Sequence, residues 1–390
     1  MTTYFIDTVE QSAAEDAPTL DLTGNDSLLL SPTGQLVATG EGGTALTLDS
    51  GGNNNIVLLD GTVMSSGDGI DDSSTFMNLT LNGTVSAAGV GLSLDESGVA
   101  YITIGASGVM DGANIGILAD SNNTQITNLG TVSGVENAII MNGTGTIVNE
   151  GTIVGESALL EDSAGLTFTN NGLVSGTIEA DNASNLTLTN NGTIAGAISL
   201  IAGDTLVNTG TISGNVSMGT GETLDNTGII HGNVTFAGGT NVLDTRHGEI
   251  TGTVTGGSGS DTFIAGSDAV NFIGGSGTEV LTGGAGDDVI TAGSGKDTIT
   301  GGKGDDLLTA GSSRDTFAYN GNFGNDTIVD FNTKHDIIHF AANDFAGYTA
   351  LEAHMVQAGT DVVITLDAND SIVLTHETLA NFTSSDFTFG

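Results

Sequence analysis

Internal repetition is the feature that most constrains the fold of this chain. The pattern Asn-x-Gly-x-[Val/Ile/Leu]-x-Gly begins at six positions: Asn128, Asn149, Asn170, Asn190, Asn208 and Asn226. The spacings between them are 21, 21, 20, 18 and 18 residues. With weaker copies on either side there are about eleven units, and a period of this length predicts a solenoid in which each unit stacks on its neighbours.

Within a unit, apolar residues alternate with polar ones. In LTLTNNGTIAGAI (186–198), Leu186, Leu188, Ile194 and Ile198 are candidates for the buried side, and alternation with period two indicates strands. Short strands repeated about every 20 residues predict a parallel β-helix, with the repeated Asn forming a hydrogen-bonded ladder. The repeat resembles the β-helical passenger regions of bacterial autotransporters and filamentous adhesins.

From Gly256 the period becomes nine and holds for seven units. They read GGSGSDTFI (256–264), AGSDAVNFI (265–273), GGSGTEVLT (274–282), GGAGDDVIT (283–291), AGSGKDTIT (292–300), GGKGDDLLT (301–309) and AGSSRDTFA (310–318). They resemble the Gly-Gly-x-Gly-x-Asp-x-U-x nonapeptide of the repeats-in-toxin (RTX) family, in which U is apolar. Here U is Phe263, Phe272, Leu281, Ile290, Ile299, Leu308 and Phe317.

The resemblance implies a parallel β-roll that binds Ca²⁺, with two units in each 18-residue coil. Each ion would lie between unit n and unit n+2, held by turn carbonyls and by the acid at position six, a set of hard oxygens that suits Ca²⁺ better than Mg²⁺. The implied pairs are Asp261/Glu279, Glu279/Asp297, Asp297/Asp315 and Asp288/Asp306. The implied turn glycines are Gly257, Gly259, Gly275, Gly277, Gly284, Gly286, Gly293, Gly295, Gly302 and Gly304. In total we expect about four to six ions.

Two positions depart from the pattern. Val270 stands where an Asp is expected, so the Val270/Asp288 position should bind Ca²⁺ weakly or not at all. Glu279 is one methylene longer than Asp, which affects both of its pairs.

The segment after the last repeat resembles the end of RTX proteins exported by type I secretion. NGNFGNDTIVDFNTKHDIIHF (320–340) is similar to the segment that closes RTX rolls, and it offers Asp326, Asp330 and Asp336 as further Ca²⁺ ligands. HETLANFTSSDFTFG (376–390) is similar to the uncleaved C-terminal signal. The first 18 residues lack the pattern of a cleaved signal peptide. We therefore expect a protein secreted to the outside or the surface of a Gram-negative bacterium.

Charge excludes several classes of partner. The chain has 5 Lys and Arg against 47 Asp and Glu, a formal charge of −42. Its basic residues are Arg246, Lys296, Lys303, Arg314 and Lys334. Such a surface repels nucleic acids and anionic membranes. No apolar run approaches the ~20 residues of a membrane span, and the absence of Cys rules out disulfides and thiolate metal sites.

The sequence predicts an all-β protein: a parallel β-helix that continues into a Ca²⁺-binding β-roll with a small C-terminal cap. The expected divisions are an N-terminal cap or assembly strand (1–27), the β-helix (28–255), the roll (256–318), and the cap with the secretion signal (319–390).

Our leading functional hypothesis is a secreted, Ca²⁺-dependent structural solenoid. It would self-associate through its ends into a filament, a biofilm matrix or a surface layer, with the type I secretion machinery as its other partner. The alternative is an adhesin that binds ice or a cell-surface glycan, since Thr167/Thr169 and Thr187/Thr189 form Thr-x-Thr pairs.

A polysaccharide-modifying enzyme ranks third, and we expect no catalysis. The HExxH and G-x-S-x-G motifs are absent. Arg246 is the only basic residue that the β-helix segment offers for an acidic sugar. The candidate acid pair Asp71/Asp72 rests on adjacency alone.

Overall fold

The computed structural model describes residues 2–12, 19–23, 25–49, 54–95, 98–162, 165–181 and 185–390. The chain divides into two compact units, Met1–Gly214 and Asn215–Gly390. Both consist almost entirely of short parallel strands stacked coil upon coil, which confirms the predicted all-β solenoid. No helix among these residues is long and apolar enough to cross a membrane.

The first unit is a parallel β-helix with three faces, called face A, face B and face C. Face A contains Thr3–Ile6, Ser27–Leu30, Asn55–Leu59, Phe76–Leu81, Val99–Ile104, Thr124–Asn128, Gly145–Asn149, Leu166–Asn170, Thr187–Asn190 and Thr205–Asn208. Face B contains Val9–Ser12, Gln35–Ala38, Thr62–Ser65, Thr84–Ala87, Val109–Gly112, Thr131–Gly134, Thr193–Ile194 and Thr211–Ile212. Face C contains Leu20–Thr23, Leu46–Asp49, Ile70–Asp72, Val90–Leu94, Ile115–Ala119, Asn137–Met141 and Ile198–Ser199. Thr152–Glu161 and Leu173–Ala180 turn the corner and contribute to both face B and face C.

The coil geometry extends into the segment that the sequence assigns to an N-terminal cap. Thr3–Ile6, Val9–Ser12 and Leu20–Thr23 each pair in parallel with the next strand of their face. Met1, 13–18 and Gly24 of this segment lie outside the described residues.

Apolar side chains from all three faces fill the interior. Leu186 and Leu188 reach it from face A, Ile194 from face B and Ile198 from face C, and each is at most 1% exposed. The alternation in the sequence thus correctly identified these core residues, because successive strand residues point to opposite sides.

A buried asparagine ladder runs along the end of face A. Asn128, Asn149, Asn170, Asn190 and Asn208 are fully buried. Each Nδ2 donates to the Oδ1 of the next, at 2.7, 2.7, 2.8 and 2.8 Å. The predicted ladder is confirmed, and because each rung spans one coil it holds successive coils in register.

The second unit contains two main parallel sheets. The first sheet contains Thr223–Asn226, Val242–Thr245, Thr262–Ala265, Val280–Gly284, Thr298–Gly302, Thr316–Tyr319, Ile337–Phe340 and Phe387–Phe389. The second sheet contains Val216–Thr220, Val234–Gly238, Thr253–Thr255, Asn271–Gly277, Val289–Gly295, Leu307–Ser312, Asn325–Ile328 and Ser371–Leu374. The short strands Ile229–Ile230, Glu249–Ile250 and Ser258–Gly259 complete the coils. The seven U residues of the nonapeptides are all fully buried between the sheets.

The sequence assigns residues 319–390 to a small C-terminal cap. The strands Asn325–Ile328 and Ile337–Phe340 at the start of this segment still continue the two parallel sheets, and the cap itself follows Phe340. A short helix, Tyr348–Glu352, precedes the strand Met355–Ala358. The next strand, Asp361–Thr365, runs antiparallel to Met355–Ala358 on one side and to Ser371–Leu374 on the other. Two 3₁₀ turns, Leu379–Asn381 and Ser384–Asp386, lead to the final strand.

Candidate calcium-binding site

The acids at position six of the nonapeptides form two buried columns in the second unit, together with Asp326 and Asp336 of the closing segment. Each acid directly precedes a strand, except Asp326, which is the second residue of Asn325–Ile328. The parallel register therefore places each acid beside the equivalent acid of the next coil. The first column contains Asp261, Glu279, Asp297, Asp315 and Asp336, and the second contains Asp288, Asp306 and Asp326. All eight are at most 4% exposed.

One carboxylate oxygen of most column members accepts a backbone N–H from the preceding coil. Asp297, Asp306 and Asp315 accept through Oδ1 from the N–H groups of Glu279, Asp288 and Asp297, at 2.9, 2.8 and 2.9 Å. The same bond links Asp306 N–H to Asp326 at 2.9 Å and Asp315 N–H to Asp336 at 3.1 Å. The structure therefore brings the acids together across adjacent coils, in the pairs that the nonapeptide pattern implies.

The second oxygen is buried and lacks a hydrogen-bond partner. This holds for Oδ2 of Asp261, Asp288, Asp297, Asp306, Asp315 and Asp326, and for both oxygens of Glu279. Within the described ranges the one ion pair joins Arg246 to Asp244, so no basic side chain neutralises these columns. An unpaired buried carboxylate oxygen is costly, and rows of such hard oxygens fit a Ca²⁺ ion.

Burial raises the pKa of seven of these carboxyl groups, those of Asp261, Glu279, Asp288, Asp306, Asp315, Asp326 and Asp336. The pKa rises to about 6 for Asp306, to about 7 for Asp288 and Asp315, and to about 8 for Glu279 and Asp326. Loss of solvation is the largest cause in each case, and neighbouring carboxylates add to it. The columns therefore favour a bound proton or a bound cation over bare negative charge.

The turn glycines let backbone carbonyls approach the columns. Nine of the ten predicted glycines have φ between 78° and 147°, and Gly286 is the exception. A Cβ on Gly277 or Gly295 would overlap the carbonyl oxygen of the glycine one coil earlier, so no other residue fits these turns. Nowhere in the described ranges do three or more His, Cys, Asp or Glu side chains gather closely enough to hold a metal. An ion in these columns therefore needs backbone oxygens as well.

Three predicted positions differ from the rest. Asp330 lies outside both columns, and its two oxygens accept the N–H groups of Ala310 and Gly311 at 2.9 and 2.7 Å. Asp336 continues the first column, but its Oδ2 is already bonded to Asn332 N–H at 2.9 Å. Neither carboxylate oxygen of Glu279 accepts a hydrogen bond from the preceding coil, whereas each Asp of the columns accepts one through Oδ1. These three remain candidate ligands on the resemblance alone.

Sequence reasoning missed that the first column continues upstream of the nonapeptides. Asn241 directly precedes Val242–Thr245, which pairs with Thr262–Ala265, so Asn241 lies in the column next to Asp261. The sequence pattern that could have identified Asn241 is FAGGTNVLD (236–244). It is a degenerate nonapeptide with Asn at position six and Leu243 at the apolar position.

The fold and the site together define a calcium-binding parallel β-solenoid. Residues 253–271, 273–308 and 291–328 match the family model described as the RTX calcium-binding nonapeptide repeat, in 4 copies. The chain thus contains RTX-type nonapeptide repeats within a parallel β-solenoid, and these repeats imply Ca²⁺ binding.

Comparison with solved structures gives a match to the extracellular lipase LipA from Serratia marcescens, at 18% identity and a TM-score of 0.24. The match covers 54% of this chain and 41% of the lipase. No curated protein matches the sequence.

Proposed function

We propose that the protein is a secreted structural solenoid whose roll folds when the carboxylate columns bind Ca²⁺, and which then self-associates outside the cell. The observation that carries this proposal is the buried row of carboxylate oxygens without protein partners. RTX repeats are typical of secreted Gram-negative proteins, which supports the extracellular destination.

The columns make folding of the roll depend on Ca²⁺. Bound Ca²⁺ supplies the positive charge that the two carboxylate columns lack. Without it, the acids Glu279, Asp297 and Asp315 stack one coil apart in a buried setting with no cation between them. The cost of burying their negative charge favours the unfolded roll at neutral pH. Extracellular Ca²⁺ near millimolar matches the ~10⁻⁴–10⁻³ M range of extracellular sites, whereas the cytosol falls below it.

This dependence fits export through the type I secretion machinery. Phe387 is 4% exposed and Asp386 is 3% exposed in the folded cap, and Phe387–Phe389 pairs with Ile337–Phe340. The Asp386–Phe387 pair of the expected signal is therefore accessible only while the cap is unfolded. We propose that low cytosolic Ca²⁺ keeps it so until export.

We propose that self-association uses the first coil of the first unit. In the described residues, Thr3–Ile6, Val9–Ser12 and Leu20–Thr23 pair on one edge only, and an unpaired strand edge is a template for another chain. Phe5 is 61% exposed and Val9 57% exposed on this coil. A charge of −42 opposes association, and Ca²⁺ would reduce that repulsion.

The test is negative-stain microscopy of the purified protein in Ca²⁺ and in chelator. We expect filaments or sheets only with Ca²⁺, and we expect the double variant Phe5→Lys/Val9→Lys to abolish them. Val135→Lys is the matched control, because Val135 is 71% exposed but lies away from the first coil. Dispersed wild-type particles in both conditions would exclude self-assembly as the main function.

Ice binding by face A is the second candidate. From Thr124–Asn128 to Thr205–Asn208 the outward residues form two columns in unbroken register, Gln125, Thr146, Thr167, Thr187 and Thr205, and Thr127, Val148, Thr169, Thr189 and Val207. None of these outward residues is charged, although the protein as a whole is strongly acidic. The buried asparagine ladder fixes the spacing between successive coils of face A. A flat lattice of methyl and hydroxyl groups is suited to ordered water, whereas a glycan platform would present aromatic rings.

Partition into a growing ice front tests this second candidate. We expect enrichment of the wild type in ice and its loss in Thr167→Lys/Thr187→Lys, which charges the centre of face A. Thr152→Lys/Thr193→Lys makes the same change on face B and should retain the enrichment. A wild type that stays in the liquid rules out ice binding.

We propose no catalytic role for the acid pair Asp71/Asp72. Asp72 points inward, is 4% exposed, and accepts the Ser74 hydroxyl at 2.6 Å, whereas its neighbour Asp71 is partly exposed. Adjacent strand residues point to opposite sides, so these two carboxylates do not face one substrate.

A further inference from the structure

Asn241 lies at a position of the first column that a carboxylate fills in the later coils, but its side chain is an amide. It is fully buried and lies in the first column directly before Asp261. Its Oδ1 accepts the backbone N–H groups of Gly221 and Glu222 at 3.0 and 2.9 Å. This is the bond that column acids make to the coil before them, so the amide oxygen retains the structural role of the carboxylate.

The amide nitrogen does what no column acid can do. Asn241 Nδ2 donates to the turn carbonyl of Gly238 at 3.1 Å and to Asp261 Oδ1 at 2.8 Å. It thereby joins a carbonyl of its own turn to the carboxylate of the next coil. Further along the column the corresponding junctions, such as Glu279 to Asp297, have carboxylate oxygens on both sides and no donor side chain.

We infer that Asn241 ends the ion column. Its neutral amide takes the place of a cation between its own coil and the coil of Asp261, so the first Ca²⁺ position of the column lies between Asp261 and Glu279. The inference rests on the proposed Ca²⁺ binding of the roll. Asn241 is thus a specificity-determining residue that sets how many ions the solenoid takes up.

The test counts bound Ca²⁺ by native mass spectrometry of the full chain. Asn241→Asp replaces the amide donor with a carboxylate and should bind one more ion than the wild type. Asn241→Ala should bind the same number as the wild type, with a lower unfolding midpoint in Ca²⁺ because the amide bonds are lost. Asn271→Asp is the matched control, since it adds the same charge at an exposed position outside the column and should bind no extra ion.

The possible results separate the two proposals. If the wild type binds several ions and Asn241→Asp binds the same number, the inference fails while Ca²⁺ binding stands. Loss of one ion in Asn241→Ala would make Asn241 a ligand and also overturn the inference. An Asn241→Asp variant that stays unfolded in Ca²⁺ counts against it too, because the added ion should replace the lost amide bonds. A wild type that binds no Ca²⁺ refutes both.

Discussion

Replacing Asp306 by Asn should change stability in opposite directions with and without Ca²⁺. Asp306 lies in the middle of the second column and is 2% exposed. Its Oδ1 accepts Asp288 N–H at 2.8 Å, and its own N–H donates to Asp326 at 2.9 Å. Asn keeps the shape and the acceptor oxygen, so Asp306→Asn removes charge and leaves the backbone bond in place.

In Ca²⁺ the variant should be less stable, because the ion positions on both sides of Asp306 lose a carboxylate. At about 100 times the dissociation constant, one bound ion stabilises the folded state by about 2.7 kcal/mol. Loss of two ions would therefore cost about 5 kcal/mol.

In chelator the variant should be more stable. Burial raises the pKa of Asp306 to about 6, so its charged form destabilises the folded roll at pH 8. With allowance for solvent screening, removal of that charge is worth about 1 kcal/mol.

Far-UV circular dichroism measures both free energies of unfolding, by urea unfolding in Ca²⁺ and, in chelator, by refolding the roll with a stabilising osmolyte such as TMAO. Asp287→Asn is the matched control, because Asp287 is exposed and precedes the column acid Asp288, and it should change neither free energy by more than about 0.5 kcal/mol. A change of the same sign in Ca²⁺ and in chelator would refute the reasoning, because it would show that Asp306 contributes only through packing.

The remaining predictions address pH, the ladder and the turns. In chelator, acidification from about pH 8 to about pH 5 should stabilise the roll. The folded pKa of Glu279 and of Asp326 is about 8, above the unfolded values. The stability that these two protonated groups contribute is therefore present at low pH and is lost as the pH rises through about 8. A thermal midpoint that falls on acidification would contradict this. Asn170→Ala removes the hydrogen bonds that Asn170 makes to Asn149 Nδ2 and Asn190 Oδ1 in the ladder. It should lower the free energy of unfolding by about 2–4 kcal/mol with or without Ca²⁺. A loss of stability seen only in Ca²⁺ would contradict this prediction. Gly295→Ala should prevent Ca²⁺-induced folding of the roll, measured by circular dichroism, because its Cβ would overlap a backbone carbonyl; normal folding of this variant would show that the turn tolerates a side chain.

Much of the fold follows from the sequence because a solenoid makes its contacts at a fixed sequence separation. The period of about 20 residues places Asn149 beside Asn128 and Asn170, and the period of nine places Asp306 beside Asp288 two units earlier. Alternation then decides which side chains are buried. Coil length, core residues, ladder and paired acids were therefore all predictable.

Tertiary structure alone decided which of the equivalent acids have unpaired oxygens. Asp326 and Asp330 are both acids of one closing segment, yet Asp326 leaves Oδ2 buried without a partner and Asp330 uses both oxygens on backbone N–H groups. The sequence also could not identify Asn241 as a column member. The coil from Asn241 to Asp261 is 20 residues long rather than 18, so the nine-residue period fails there, and only the strand register shows that the amide faces a carboxylate.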